Sequence, residues 1–105
     1  MAQRASERRR AARAGLAVSC TLHRRTGAPI ACETVEVGPG GMSVCSRRPL
    51  ATDELLSFDL PPEGGTALTG HARVLRQEAH QVYVLRFEHL QDAVRSGLEQ
   101  LAAGR

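Results

Sequence analysis

Five arginines, Arg4, Arg8, Arg9, Arg10 and Arg13, fall within the first thirteen residues of the chain against a single acid, Glu7. A guanidinium presents a rigid fork of donors that grips a phosphate, or the O6/N7 edge of a guanine, through two parallel hydrogen bonds. Residues four apart lie on roughly one side of an extended or a helical segment, so Arg9 and Arg13 can converge on one ligand. The chemistry they suggest is recognition of a phosphate-rich or guanine-containing partner. Read alone, the same run also fits a solvated basic tail. A second chemistry-bearing stretch is Gly38-Pro39-Gly40-Gly41. Its glycines permit positive φ and close backbone approach, so their N–H groups could line an anion-binding nest, to which Pro39 contributes nothing; the plainer alternative is a turn between strands.

Composition bounds the partner. The chain has 105 residues, enough for one domain with a modest core. All fourteen basic residues are arginine, yet the formal net charge is only +3. The positive field is therefore concentrated at the N-terminal end, which argues for a local anion site and against a broad nucleic-acid-binding face. The absence of tryptophan and of any basic recognition-helix pattern argues the same way. Cys20, Cys32 and Cys45 are an odd number without CxxC spacing, and each falls in or beside an alternating apolar stretch. They read as reduced core residues of a cytoplasmic protein. His23, His71, His80 and His89 are too scattered to suggest a metal site. No nucleophile motif and no pairing of acids and histidines at catalytic spacing is present, so an enzyme is not expected and no cofactor is implied. No apolar run approaches a membrane span or a signal-peptide core, so membrane insertion is not expected either.

The elements that must position these residues are mostly strands. Period-two alternation marks 16–22, 30–37, 42–46, 55–60, 68–76 and 81–87. Turns are expected at 24–29 and 38–41, a connection at 49–54, a breaker at 61–65 and a hairpin loop around 77–80. Tyr83, Leu85, Phe87 and Phe58 are expected in the core. From His89 the period lengthens, and Leu90, Val94, Leu98 and Leu101 mark one amphipathic helix over 89–103. The expected fold is all-β with one helix: an antiparallel barrel over 15–105, capped by a C-terminal α-helix and preceded by a flexible Arg-rich segment over 1–14.

The order of these pieces resembles a PilZ domain. Arg9-x-x-x-Arg13 matches the family's RxxxR, and Glu36-Val37-Gly38-Pro39-Gly40-Gly41 falls where the family has [D/N]xSxxG. Leu56-Ser57-Phe58-Asp59-Leu60-Pro61, Gly70-His71-Ala72-Arg73-Val74 and Leu85-Arg86-Phe87 extend the likeness over nearly the whole chain. The resemblance implies a six-stranded antiparallel PilZ-type barrel with a C-terminal helix. It also implies a bacterial, cytoplasmic, non-catalytic receptor for the second messenger cyclic di-GMP, acting through an effector protein of motility, secretion or transcriptional control.

Carried over residue by residue, the resemblance makes Arg9, Arg13, Glu36, Gly38 and Gly41 ligand-binding residues. Arg8 and Arg10 would hold a second, stacked ligand molecule. Glu36 replaces Asp or Asn; its carboxylate still accepts two parallel hydrogen bonds from guanine N1–H and N2–H, one methylene farther out. Gly38 replaces the family's serine, and one hydroxyl bond to a charged acceptor is worth ~1–3 kcal/mol. Val84 stands where the family has glycine. These departures leave a second reading open, a degenerate PilZ-like interaction module without nucleotide binding.

Overall fold

The computed structural model describes residues 14–15, 17–61 and 67–103. Arg8, Arg9, Arg10 and Arg13 lie outside the described residues. The elements run β1 (Ala14–Gly15), β2 (Ser19–His23), β3 (Ile30–Val37), β4 (Gly41–Cys45), β5 (Leu55–Leu60), β6 (Leu68–Ala79), β7 (Val82–Glu88) and α1 (Asp92–Ala103). All pairings are antiparallel. Six strands follow one another in the order β3-β2-β5-β6-β7-β4, and β4 returns to pair with β3, which closes the barrel.

The short β1 lies on the same edge of β3 as β2. Its register pairs Ala14 with Val37 and Gly15 with Glu36, whereas β2 begins at Ser19 opposite Glu33, a slip of one residue between the two. Thr34 bridges the irregular stretch. Its Oγ1 accepts the Val18 N–H at 3.0 Å, while its own N–H donates to the Val18 carbonyl at 2.9 Å. The slip preserves pairing on both sides of Val18 and lets the chain before β2 continue along β3 toward the Gly38–Gly41 turn.

Period-two alternation puts one set of side chains inside the barrel. On β5, Leu56, Phe58 and Leu60 are buried, while Leu55 is exposed and Ser57 and Asp59 are half-buried. Leu22, Val37, Met42, Val44, Val74 and Leu85 complete the middle of the core. Phe58 and Phe87 pack as a tilted pair with ring centroids 5.1 Å apart. Along α1 the stripe Val94, Leu98 and Leu101 faces the core, with Leu98 fully buried. The helix contacts β6, β1 and β3 and so closes the barrel end next to β1.

Three details differ from the sequence reading. The last hairpin is longer: the β6–β7 ladder runs to Ala79 opposite Val82 through two irregularities, and the chain reverses at His80 and Gln81, with Gln81 at φ 65°. The helix begins at Asp92 and not at His89, because His89 adopts a left-handed φ of 52° that no helical residue shares. The first turn then closes through the Arg95 N–H on the Gln91 carbonyl at 2.9 Å, and Leu90 packs on the core ahead of it. Cys45, the last residue of β4, is exposed, whereas Cys20 is buried and Cys32 half-buried. Only Cys20 behaves as a fully enclosed thiol, its pKa pushed up to about 12 chiefly by burial.

The β2–β3 turn is locked from outside. Gly27 takes a φ of 103°, open to glycine and strained for other residues. Just before it, Arg24 donates through Nε to Glu54 Oε2 and through Nη2 to the Pro49 carbonyl at 2.6 Å. Glu54 also accepts the Ala51 N–H at 3.0 Å, so one ion pair ties the end of β2 to the β4–β5 connection. The Arg24 guanidinium holds the Glu54 carboxyl below its ordinary range.

Candidate functional site

Glu36 sits at the end of β3 that carries the glycine turn. It is half-buried and has Gly15 opposite it on one edge and Ser43 on the other. Ala14, the residue immediately after Arg13 in sequence, stands opposite Val37. The chain leaving the RxxxR segment is thus hydrogen-bond-paired to the strand that opens the second motif.

Of the two alternatives for the glycine stretch, a nest or a turn between strands, the structure takes the turn. Among the described residues the only glycine at positive φ is Gly27. Gly38 is buried and donates its N–H to the Gly41 carbonyl at 3.0 Å. The Gly40 carbonyl accepts the Phe87 N–H at 3.0 Å. These backbone groups close the β3–β4 hairpin and tie it to β7, which leaves the Gly38 N–H committed inside the hairpin. Gly41 is required for a different reason: a Cβ there would overlap the carbonyl oxygen of Leu85. Its bareness permits the close approach of β4 to β7.

Alternation fixes what surrounds Glu36. Val37, Met42 and Leu85 face the core. Residues directly opposite in a ladder share a face, so Glu36, Ser43 and Val84 form one row on the outer wall, and Gly41, Arg86 and Arg73 form the next. Ser43 and Val84 are buried although they face away from the core. Valine at position 84 is accommodated within the continuous β4–β7 register. The sequence reading singled out neither Ser43 nor Arg86 for the site. The signal was the period of two: counting outward-facing residues from Gly41 along β4 reaches Ser43, and the β4–β7 pairing then brings in Arg86.

Arg73 and Arg86, directly opposite each other, share one acid. Arg73 Nε donates to Glu88 Oε2 at 2.9 Å and Arg86 Nη2 donates to the same oxygen at 3.2 Å. Arg73 also donates through Nη1 to the Asp53 carbonyl at 2.8 Å. The Arg73 guanidinium, and after it that of Arg86, holds the Glu88 carboxyl below its ordinary range. Two guanidiniums on one carboxylate leave this part of the wall positively charged.

The wall farther from Glu36 is different in chemistry. A cavity of about 290 Å³ lies against β5, β6 and the segment that leads into α1, lined by Phe58, Asp59, Thr69, His71, His89 and Leu90 among others, with no arginine in its lining. Asp59 there lies 2.8 Å from His23 Nε2. An anionic ligand is better matched by the Glu36–Arg86 wall, beside which the chain following Arg13 is paired. Among the described residues no group of three or more His, Cys, Asp or Glu side chains could hold a metal ion. None of the described helices is long and apolar enough to cross a membrane.

Comparison with known proteins gives the fold its family. The structure is similar to the crystal structure of the PilZ domain of CeSA from a cellulose-synthesising bacterium, with a TM-score of 0.69 and 14% identity, covering 88% of this chain and 95% of that one. It is also similar to the Bacillus subtilis inhibitor of motility MotI/DgrA, with a TM-score of 0.73 and 17% identity over 90% of this chain and 48% of that protein. At these identities the likeness is one of fold. A search of curated proteins finds no match. The PilZ domain family, however, matches the sequence over residues 7–104, a span that includes Arg9, Arg13 and the whole of Glu36–Gly41. A closed six-stranded antiparallel barrel with one C-terminal helix, and a family match over nearly its full length, place this chain in the PilZ domain family.

Proposed function

We propose that the protein is a receptor for cyclic di-GMP that signals through a partner protein. PilZ domains are binding and adaptor domains, and the family generally receives this nucleotide. The observation that carries the reading is the β1–β3 register, Ala14 opposite Val37 and Gly15 opposite Glu36. A trans peptide separates consecutive Cα atoms by about 3.8 Å, so the last arginine of RxxxR is tethered beside the second motif. In the proposed complex Arg9 and Arg13 take the phosphates and Hoogsteen edges. Glu36 accepts from guanine N1–H and N2–H, and Gly41 lets the turn approach. Arg8 and Arg10 hold a second ligand molecule when the nucleotide binds as a stacked pair. Residues 1–14 act as the ligand-ordered segment and 15–105 as its scaffold.

The output follows from the same geometry. α1 contacts both β1 and β3, so ordering the segment that leads into β1 changes the surface where strand and helix meet. A partner in motility, secretion or transcriptional control would read that surface in the bacterial cytoplasm. Motility has a fold-level analogy in its favour, the likeness to an inhibitor of motility.

Isothermal titration with cyclic di-GMP at moderate salt, with GTP and cyclic di-AMP as controls, tests the reading. Saturable, guanine-selective binding supports it. Absence of heat together with an unshifted melting temperature overturns it in favour of a PilZ-fold interaction module without nucleotide binding. The buried Gly38, which brings no hydroxyl, favours that second reading.

A further inference from the structure

We infer that Arg86 is an additional ligand-binding residue, a guanidinium held in reserve by Glu88 and turned to the nucleotide's phosphate when the ligand docks beside Gly41. The inference rests on the receptor reading and extends its site across the β4–β7 ladder.

Three observations carry it. Arg86 stands directly opposite Gly41, on the same outward face as Glu36 and Ser43. Two strand spacings across and two residues along put the Cα atoms of Glu36 and Arg86 about 12 Å apart. That separation suits a ligand with guanine edges at one end and phosphates between. No side chain at Gly41 intervenes.

Next, the hydrogen bonds of the two arginines are unequal. Arg73 is committed, with Nε on Glu88 at 2.9 Å and Nη1 on the Asp53 carbonyl at 2.8 Å, and its side chain is only 33% exposed. Arg86 is 58% exposed and keeps a 3.2 Å contact to the Glu88 oxygen that Arg73 already occupies. Arg86 can therefore leave without unsatisfying the acid.

Finally, like charges placed directly opposite in an antiparallel ladder are destabilising. One carboxylate between two guanidiniums neutralises half of that charge. An incoming phosphate supplies the missing negative charge, and a guanidinium binds it bidentately. This contact also offsets the hydroxyl that Gly38 does not provide.

The test is titration of the full chain with cyclic di-GMP. Arg86→Ala should weaken binding about 5- to 150-fold, the range for losing one bidentate pair. Arg86→Lys should recover only part of the loss, because charge returns without the fork. Glu88→Gln, which loosens the tether and keeps Arg86, should bind at least as tightly as the parent. Arg25→Ala, which removes an exposed arginine from the β2–β3 turn, should change affinity less than two-fold. Melting temperatures establish that each variant is folded. A parent that binds while Arg86→Ala binds equally well, or while Arg25→Ala loses as much as Arg86→Ala, overturns the role of Arg86 and leaves the receptor reading standing. A parent that does not bind overturns the receptor reading itself, and the role of Arg86 with it.

Discussion

Gly15 lies directly opposite Glu36 in the β1–β3 ladder. The pairing exists because the chain slips by one residue between β1 and β2, with Thr34 bonding both backbone groups of Val18 across the irregularity. Without that slip the residues before Ser19 would follow the β2 register, and the approach to Glu36 would be offset by one position. In a strand that means the opposite face.

Arg9→Ala and Arg13→Ala should each weaken cyclic di-GMP binding about 5- to 150-fold, because in the proposed complex each removes a bidentate partner worth ~1–3 kcal/mol. Each is a charged side chain, a type almost never fully buried unless paired, so melting temperatures should stay near that of the parent. Titration calorimetry paired with thermal unfolding separates the two effects. Unchanged affinity in either variant would remove that arginine from the site.

Glu36→Ala should reduce selectivity for guanine over adenine nucleotides more than it reduces charge-driven affinity, since the carboxylate is the acceptor that only guanine's N1–H and N2–H edge satisfies. Gly38→Ser should tighten binding about five-fold or more by restoring a donor to a charged acceptor. Competition between cyclic di-GMP and cyclic di-AMP reads the first, and direct titration reads the second. A serine variant with no gain would mean that other groups already occupy that acceptor.

Gly41→Val should destabilise the barrel by ~2–4 kcal/mol, because the new side chain meets the Leu85 carbonyl where β4 and β7 are knitted together. A fall in melting temperature, with ligand binding lost as a consequence, is the expected outcome in thermal unfolding. A stable Gly41→Val protein would show that β4 can move away from β7 at little cost.

Glu54 should make part of the stability pH-dependent in acid. Arg24 lowers its pKa below the ordinary 4.5, so its contribution is complete above that pH and is lost as pH falls through the lowered value. Glu54→Gln should cost ~1 kcal/mol at neutral pH. The difference from the parent should shrink toward zero in strong acid. Urea unfolding at a series of pH values measures it, and a gap that stays constant down to pH 2 would refute the linkage.

Much of the barrel was legible in the residues. The limits of β3 and β5 follow from uninterrupted alternation bounded by glycine and proline, and Phe58, Tyr83, Leu85 and Phe87 are buried as their spacing requires. The start of α1 was not, because Leu90 belongs to the same apolar stripe as Val94 and only the left-handed turn at His89 excludes it from the helix. Cys45 was likewise misplaced in the core: at the end of β4 the alternation turns it outward.

For the site, sequence alone determined the chemistry. Arginine forks, a carboxylate and a glycine-rich turn can be read as residue types at fixed spacing, because the bonds they make depend on local geometry. Tertiary structure alone decided which of them meet. The turn at 38–41 spends the Gly38 N–H and the Gly40 carbonyl on closing the hairpin and tying it to β7, which spacing could not reveal. Ser43 and Arg86 join the wall beside Glu36 through pairings between strands far apart in sequence. Such neighbours are set by barrel closure and register, and those are properties of the whole folded chain.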